Sequence, residues 1–282
     1  MKNLIINIFL IVVFAFSLQN ITIGKNLFLP FGDDDIVSET NQYLKRVNLD
    51  EGKVLSKNDL NKFIQTAYKD NWYNDIAFWT SAQWGIKESG GNVAKQYELN
   101  GKDLTTDGFD KRPVKISEGN IFGVKYNGKN NYSDNSDVTV QNPMSLLLVF
   151  KANNAEDENA LVSSKGSSKL SAVIQKNKDG VSELVIRNAG EIYTKGLNSG
   201  INIVFIEFNI KNSRVFINGD LAYNGVIGKS EFDGLMIGRA PTKKGTAYFD
   251  GVMYETGVIK NLISDDARTN LTSILKQVYQ IQ

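Results

Sequence analysis

Neither cysteine nor histidine occurs in the 282 residues of this chain. The first absence removes disulfides, thiolate nucleophiles and Cys-based zinc sites together. The second removes the Ser-His-Asp and Cys-His arrangements and the commonest ligand of transition metals. Any catalysis would have to rest on carboxylates, Lys, Tyr or a hard metal ion. Excess charge is missing as well, since 32 basic residues against 31 acidic ones leave a net of +1. That balance makes no electrostatic case for nucleic acid, which needs a concentrated basic surface. The lysines between Lys165 and Lys169 and the pair Lys243-Lys244 are short clusters broken by Ser or Gly, as solvated loops are. There is no internal repeat and no low-complexity tract. A content of 41% hydrophobic and 22% charged residues is that of a globular protein, with room for one large domain and a smaller one.

The chain begins with an apolar run, Leu4 to Leu18, after Lys2. It has the layout of a signal peptide, and Ala15-Phe16-Ser17 is an acceptable small-x-small cleavage site. The run is short for a membrane span, which takes about 20 apolar residues, although Ile21 to Phe31 continues fairly apolar. Signal peptide, membrane anchor and buried structural segment all remain open. Each reading places the rest of the chain outside the cytoplasm, as an extracellular protein or part of a virion.

Residues 20–36, with Pro30-Phe31-Gly32 and Asp33-Asp34-Asp35, read as a linker. Ser38 is then expected to cap a helix carrying Tyr43, Leu44 and Val47 on one face. Ser56-Lys57-Asn58-Asp59 reads as the start of a second helix, whose Leu60, Phe63, Ile64, Ala67 and Tyr68 recur at spacings of three and four. Trp72, Phe78, Trp79 and Trp84 follow without a clear period. They are expected to fill the joint between helices and sandwich rather than to form a sugar platform, because Trp is usually buried. Residues 37–113 are thus expected to form a helical, aromatic-rich unit ahead of a β domain at residues 114–282.

That β domain is announced by short apolar runs between turn residues: Ser145–Phe150, Ala160–Ser163, Leu170–Gln175, Glu183–Arg187, Ile201–Ile210, Ser213–Ile217, Leu221–Ile227, Leu235–Ile237 and Val252–Ile259. Asp179-Gly180 and Asn218-Gly219 are hairpin turns. In Ile201–Ile210 one face, Val204, Ile206, Phe208 and Ile210, is apolar throughout, while the other turns polar at Glu207 and Asn209. Ser264 is an N-cap, Asp265 and Asp266 suit a first helical turn, and Leu271, Ile274, Leu275 and Val278 form a stripe. The fold class is therefore mainly β: an antiparallel jelly-roll β-sandwich with a small helical N-terminal unit and a C-terminal helix.

These residues resemble a known family. Leu161-Val162-Ser163-Ser164-Lys165-Gly166, Val215-Phe216-Ile217-Asn218-Gly219 and Met236-Ile237-Gly238-Arg239 are similar to successive landmarks of concanavalin-A-like, laminin-G-like jelly rolls. The ending is the most specific part: Phe249-Asp250-Gly251-Val252-Met253-Tyr254-Glu255, then Ile263-Ser264-Asp265-Asp266-Ala267-Arg268 and a closing helix. Where the family has Tyr-Asn before its Ser-Asp, Ile259-Lys260-Asn261 keeps only the Asn. A second resemblance joins Leu29-Pro30-Phe31-Gly32, Tyr43-Leu44-Lys45-Arg46-Val47, Gly52, Leu60-Asn61-Lys62-Phe63-Ile64 and Trp72 to the leaders of virion-associated proteins from phages and prophages of Bacteroidetes. The apolar N-terminus departs from that pattern.

Retaining glucanases of this fold carry a Glu-x-Asp-x-(x)-Glu strand whose catalytic carboxylates lie about 5–5.5 Å apart. Glu231-Phe232-Asp233-Gly234-Leu235-Met236 lacks the last carboxylate. Asp250 and Glu255 have both, but regular alternation would send them to opposite faces, with Glu255 facing solvent or a Lys. Binding without catalysis is the expectation that follows, by rim loops of a rigid scaffold. The candidate ligand-binding residues are Tyr132, Asn135 and Asp137 in one loop, Tyr223 and Asn224 in another, and Arg239 with Lys243. The resemblance implies calcium as a cofactor, through Asp134, Asp137 and Asp220, although turns favour Asp in any case. The expected partners are a host glycan or surface receptor, further copies of the chain or virion subunits, and a membrane through residues 4–18. The functional expectations are a virion or cell-surface adhesion protein, a secreted lectin-like protein, and a divergent glycoside hydrolase.

Overall fold

The computed structural model describes residues 33–153, 158–166, 170–188, 190–229, 231–242 and 245–281. The apolar run Leu4–Leu18 and the candidate Lys243 lie outside them. The chain divides into two units, Met1–Glu39 and Thr40–Gln282; residues 33–39 form the first turns of a helix, α1 (Asp33–Leu49). Ser38 is therefore inside α1 rather than its cap, and the expected linker stops at residue 32. A run of acidic residues suits the positive end of a helix, which is why it starts earlier than the apolar spacing alone indicates. The second helix, α2 (Lys57–Lys69), begins as the sequence indicates, with Ser56 Oγ accepting from the Asp59 N–H. Its Leu60, Phe63, Ile64 and Ala67 are buried.

Nineteen strands follow. They are β1 (Ile76–Ser81), β2 (Ile86–Ser89), β3 (Asn92–Gln96), β4 (Leu104–Thr105), β5 (Val114–Glu118), β6 (Ile121–Asn127), β7 (Ser133–Gln141), β8 (Met144–Ala152), β9 (Asn159–Ser164) and β10 (Ser171–Lys176). Then come β11 (Ser182–Arg187), β12 (Glu191–Thr194), β13 (Asn202–Phe208), β14 (Ser213–Ile217), β15 (Asp220–Gly225), β16 (Glu231–Ile237), β17 (Arg239–Thr242), β18 (Gly245–Tyr248) and β19 (Asp250–Ile259). One sheet runs β15-β14-β13-β8-β19-β6-β5 with β1 added against β19; the other runs β12-β11-β10-β9-β16-β7-β4-β3-β2. The chain closes with α3 (Asp265–Val278), capped by Ser264 Oγ accepting from the Ala267 N–H.

The two inner faces meet in one apolar core, including Leu146, Leu148, Phe150, Val204, Ile206, Phe208, Phe232, Leu235 and Ile237. At the Asn218-Gly219 turn both residues have positive φ, 55° and 96°, the pair of values a two-residue hairpin needs. The expected boundary at residue 114 falls inside both sheets, because β1 joins one and β2, β3 and β4 join the other. These strands are short or mixed in polarity, so their periodicity is weak; long-range pairing makes them strands. Tyr132–Asp137 was expected to be a loop and Tyr223-Asn224 another. Instead Asp134, Asn135 and Asp137 lie on β7, and Tyr223 and Asn224 on the edge strand β15.

The outer face of the β13–β8–β19 sheet is covered by helices. Phe63 of α2 sits against Trp72, Trp79 and Trp84 at centroid distances of 5.4, 4.5 and 4.6 Å. All three indoles are at most 2% exposed, so they fill the joint and offer no sugar platform. Among the described residues no helix is long and apolar enough to cross a membrane.

Candidate functional site

Helical cover makes the outer face of that sheet a place of sealed charges. Glu255 is 4% exposed. It accepts from Tyr279 OH (2.7 Å), Trp79 Nε1 (2.9 Å) and Ser81 Oγ (3.4 Å). Burial pushes its carboxyl up to about 7, against the pull of those donors. The expectation that Glu255 faces solvent or a Lys is thus wrong, and a bulge between Met253 and Glu255 also resets the alternation on which the opposite-face argument rested. Asp250 is held by Asn153 Nδ2 at 2.6 Å. Glu207, fully buried, takes Arg214 Nε at 2.5 Å and Arg268 at 3.0 Å. Glu255 and Glu207 are thus closed off from solvent, while Asp250 stays partly exposed.

The residues singled out from sequence fall in three places. Tyr132 and Arg239 come together, with the guanidinium 5.3 Å from the Tyr132 ring and 5.9 Å from that of Tyr248. Asp134 is paired with Lys165 at 2.8 Å, Asn135 donates to Asp103 O at 3.0 Å, and the Asp137 N–H donates back to Asn135 Oδ1 at 2.6 Å. Tyr223, Asn224 and Asp220 lie on β15, the edge of the opposite sheet. The calcium set Asp134, Asp137 and Asp220 is therefore split between two sheets. Among the described residues no group of three carboxylates is placed to hold a metal ion.

A different cleft, of about 330 Å³, opens beside the β2–β3 turn and the loop that precedes β5. Its lining includes Asn92, Phe109, Asp110, Arg112, Lys125 and Asn127. The loop is Gly108-Phe109-Asp110-Lys111-Arg112-Pro113, with a single 3-10 turn at Phe109–Lys111. Arg112 is extended (φ −72°, ψ 133°), as a residue before proline must be. The loop is pinned along its length. The Tyr132 N–H donates to Lys111 O (3.3 Å), Asn130 Nδ2 to Asp110 O (3.1 Å) and Asn131 Nδ2 to Arg112 O (3.1 Å). The pinning segment is itself ordered by Asn127 Oδ1, which accepts from the N–H groups of Lys129, Asn130 and Asn131 at 3.0, 3.1 and 3.2 Å.

Phe109 is 55% exposed although it sits on this fixed loop. Its ring lies over Gly90, where an added Cβ would come within 2.9 Å of the ring edge; Gly90 also has φ +59°. Only glycine satisfies both conditions, so the turn supplies a bare backbone seat for the edge of the ring, which stays more than half exposed. The Arg112 guanidinium lies 5.7 Å from the same ring. Its Nε is shielded from solvent and has no hydrogen-bond partner. The floor carries Tyr126, whose hydroxyl is raised above its usual range by burial and donates to Ser133 Oγ at 3.4 Å. An exposed ring beside the Asn92 side-chain amide and the Arg112 and Lys125 side chains, for which no internal bond is formed among the described residues, can take the C–H face of a sugar and its hydroxyls together.

A second hollow, about 390 Å³, lies along α1 and is lined by Gln42, Lys45, Arg46, Leu49 and Asp50. There Arg46 is already bound to Asp103, and Asp50 to Lys87 and Lys95, which with Tyr97 hold its carboxyl well below the usual range. The Phe109 cleft is therefore the better site. Sequence reading passed over it. The available signal was an aromatic residue between Gly108 and Pro113, inside a turn-rich loop where no core needs it.

No protein-family model matches the chain, and no curated protein does. Solved structures do. A GH54 α-L-arabinofuranosidase soaked with a cyclic sulfate inhibitor has 10% identity and a TM-score of 0.57, covering 76% of this chain and 65% of its own. An arabinofuranosidase complexed with arabinofuranosyl-alpha-1,2-xylobiose has 12% identity and a TM-score of 0.53, covering 67% of this chain and 51% of its own. The sialidase of Trypanosoma rangeli in complex with 2,3-difluorosialic acid has 10% identity and a TM-score of 0.52, covering 77% and 39%. The chain thus spans about half the length of the second of these and less of the third. At such identities the likeness is one of architecture: the chain has the β-sandwich fold that these proteins contain.

Proposed function

We propose that this chain is a non-enzymatic adhesion protein of a virion or cell surface, and that its sandwich binds carbohydrate in the Phe109 cleft. The observation that carries this reading is the exposed Phe109 ring, seated on Gly90 and flanked by Arg112. Its structural neighbours include proteins solved with an arabinofuranosyl-xylobiose and a difluorosialic acid, which agrees with a sugar as the ligand class. The non-enzymatic part is supported by the missing His and Cys, by the incomplete Glu231–Met236 string and by the sealed position of Glu255. The virion address is supported by the leader resemblance at residues 29–72, with the host surface or neighbouring subunits as partners. A secreted lectin-like protein would use the same cleft and differ only in address.

A glycan array of the full chain against its Phe109→Ala variant tests the reading. Expected is binding to a subset of glycans that falls at least about tenfold in the variant. Binding that Phe109→Ala leaves intact would move the site elsewhere. Sugar release from a polysaccharide panel, lost in Glu231→Gln, would overturn the non-enzymatic assignment.

A further inference from the structure

The charges of the Phe109 cleft are unusual for this molecule. Most other cations near aromatic rings are bound to carboxylates, Arg46 to Asp103, Lys95 to Asp50, Arg214 and Arg268 to Glu207 and Asp265; Arg239, against Tyr132 and Tyr248, shares with Arg112 the lack of a carboxylate among the described residues. The Arg112 side chain makes no hydrogen bond and no ion pair with any described residue, and its Nε is removed from water besides. The Nη groups of Arg112 likewise have no acceptor among the described residues, so the guanidinium can take an anion from outside. Lys125, on β6 at the same cleft, is exposed and equally without a partner. Against these two cations stands one carboxylate, Asp110, on the same loop. The cleft is thus net positive inside a chain whose overall charge is only +1.

We infer that the cleft selects an acidic saccharide, a sugar bearing a carboxylate, whose ring stacks on Phe109 while its carboxylate takes the Nη groups of Arg112. This rests on the carbohydrate reading above and names its ligand class. The two Nη groups form a planar fork that a planar carboxylate accepts in two parallel bonds. Lys125 adds a point charge at the mouth, and Asn92 an amide for ring hydroxyls. Asp110 would repel a second acidic group, so one charged residue at a time, rather than a densely charged chain, fits the pair of cations.

The test uses the full chain and calorimetric or array binding with oligogalacturonate, a sialylated oligosaccharide, their neutral counterparts and a sulfated oligosaccharide. Expected is binding of carboxylated sugars at least about tenfold tighter than of the neutral ones, weakening as salt is raised. Arg112→Gln should lower that affinity about 10- to 100-fold and leave circular dichroism unchanged. Arg112→Lys should recover part of it by restoring charge without the fork, and Lys125→Gln should cost less than either. Equal binding of neutral sugars that Phe109→Ala still abolishes would overturn the acidic-ligand inference and keep the carbohydrate reading. Preference for the sulfated sugar alone would also overturn it. Binding of no saccharide at all would sink both.

Discussion

Arg268 and Arg112 both lay a guanidinium on an aromatic ring, at 3.7 Å from Phe216 and 5.7 Å from Phe109, yet their surroundings are opposite. Arg268 lies on α3 itself, where Glu207 and Asp265 take its N–H groups at 3.0 and 2.6 Å. Asp265 is in turn held down to about 2, first by Arg214 and then by Arg268. Arg112 has no such partner. The same contrast holds for the aromatics, with Trp79 wholly buried beneath α2 and Phe109 more than half exposed. In one region the fold consumes the valences of its side chains; in the other it holds them in place and leaves them unused. Hydrogen bonds hold the backbone in both regions, so the difference lies in which side chains are satisfied.

Three sets of measurements would break or sharpen that contrast. The largest effect is expected from the aromatic pair. Trp79→Ala should cost about 3–5 kcal/mol in urea unfolding, since it opens a cavity under Phe63 and removes a donor from Glu255. Phe109→Ala should stay within about 0.5 kcal/mol, the range of exposed positions. Comparable losses in the two variants would mean that Phe109 is a packing residue. The arginines come next: Arg268→Ala should cost about 3 kcal/mol by leaving Glu207 with one partner. Arg112→Ala should be near neutral or slightly stabilising, and a large loss there would reveal a structural role.

The third expectation concerns pH. Glu255 has its folded pKa raised from 4.5 to about 7, so the folded state binds its proton more tightly than the unfolded chain does. Its contribution is therefore fully present below about pH 4.5 and is lost as pH rises through about 7. Over that window stability should fall by at most about 1.4 kcal/mol per pH unit. Glu255→Gln should flatten this part of the profile in chemical denaturation measured from pH 5 to 8. An unchanged slope would show that Glu255 is charged throughout.

Much of the architecture was legible in the sequence because the signals were local. Ser56 and Ser264 cap helices by the geometry their positions imply. The strand from 202 to 208 sends Val204, Ile206 and Phe208 into the core, as alternation requires. That same strand shows the limit. Its polar-looking Glu207 is fully buried, because α3, which begins only at Asp265, covers it, and Ile210, expected inside, is 48% exposed after the strand has ended. Alternation tells which side of a sheet a residue faces, never what lies on that side. The strands from 76 to 105 and the acidic positions of β7 were missed for a related reason, since pairing with distant strands outweighed poor intrinsic β-propensity.

The cleft belongs to that second kind of information. It needs Gly90 from one turn, Phe109 and Arg112 from a loop, Lys125 from a strand and Asn127 with Asn130 and Asn131 to hold them in register. No spacing along the chain marks such a set, because the residues are joined only by the order of strands in the sheets. What the sequence determined alone is what periodicity, capping and composition control: a β-sandwich closed by a helix, built without any of the chemistry that cysteine and histidine supply. Which charges are sealed and which stay open was decided by tertiary structure, because burial and partnership depend on what lies opposite, and sequence specifies only what lies beside.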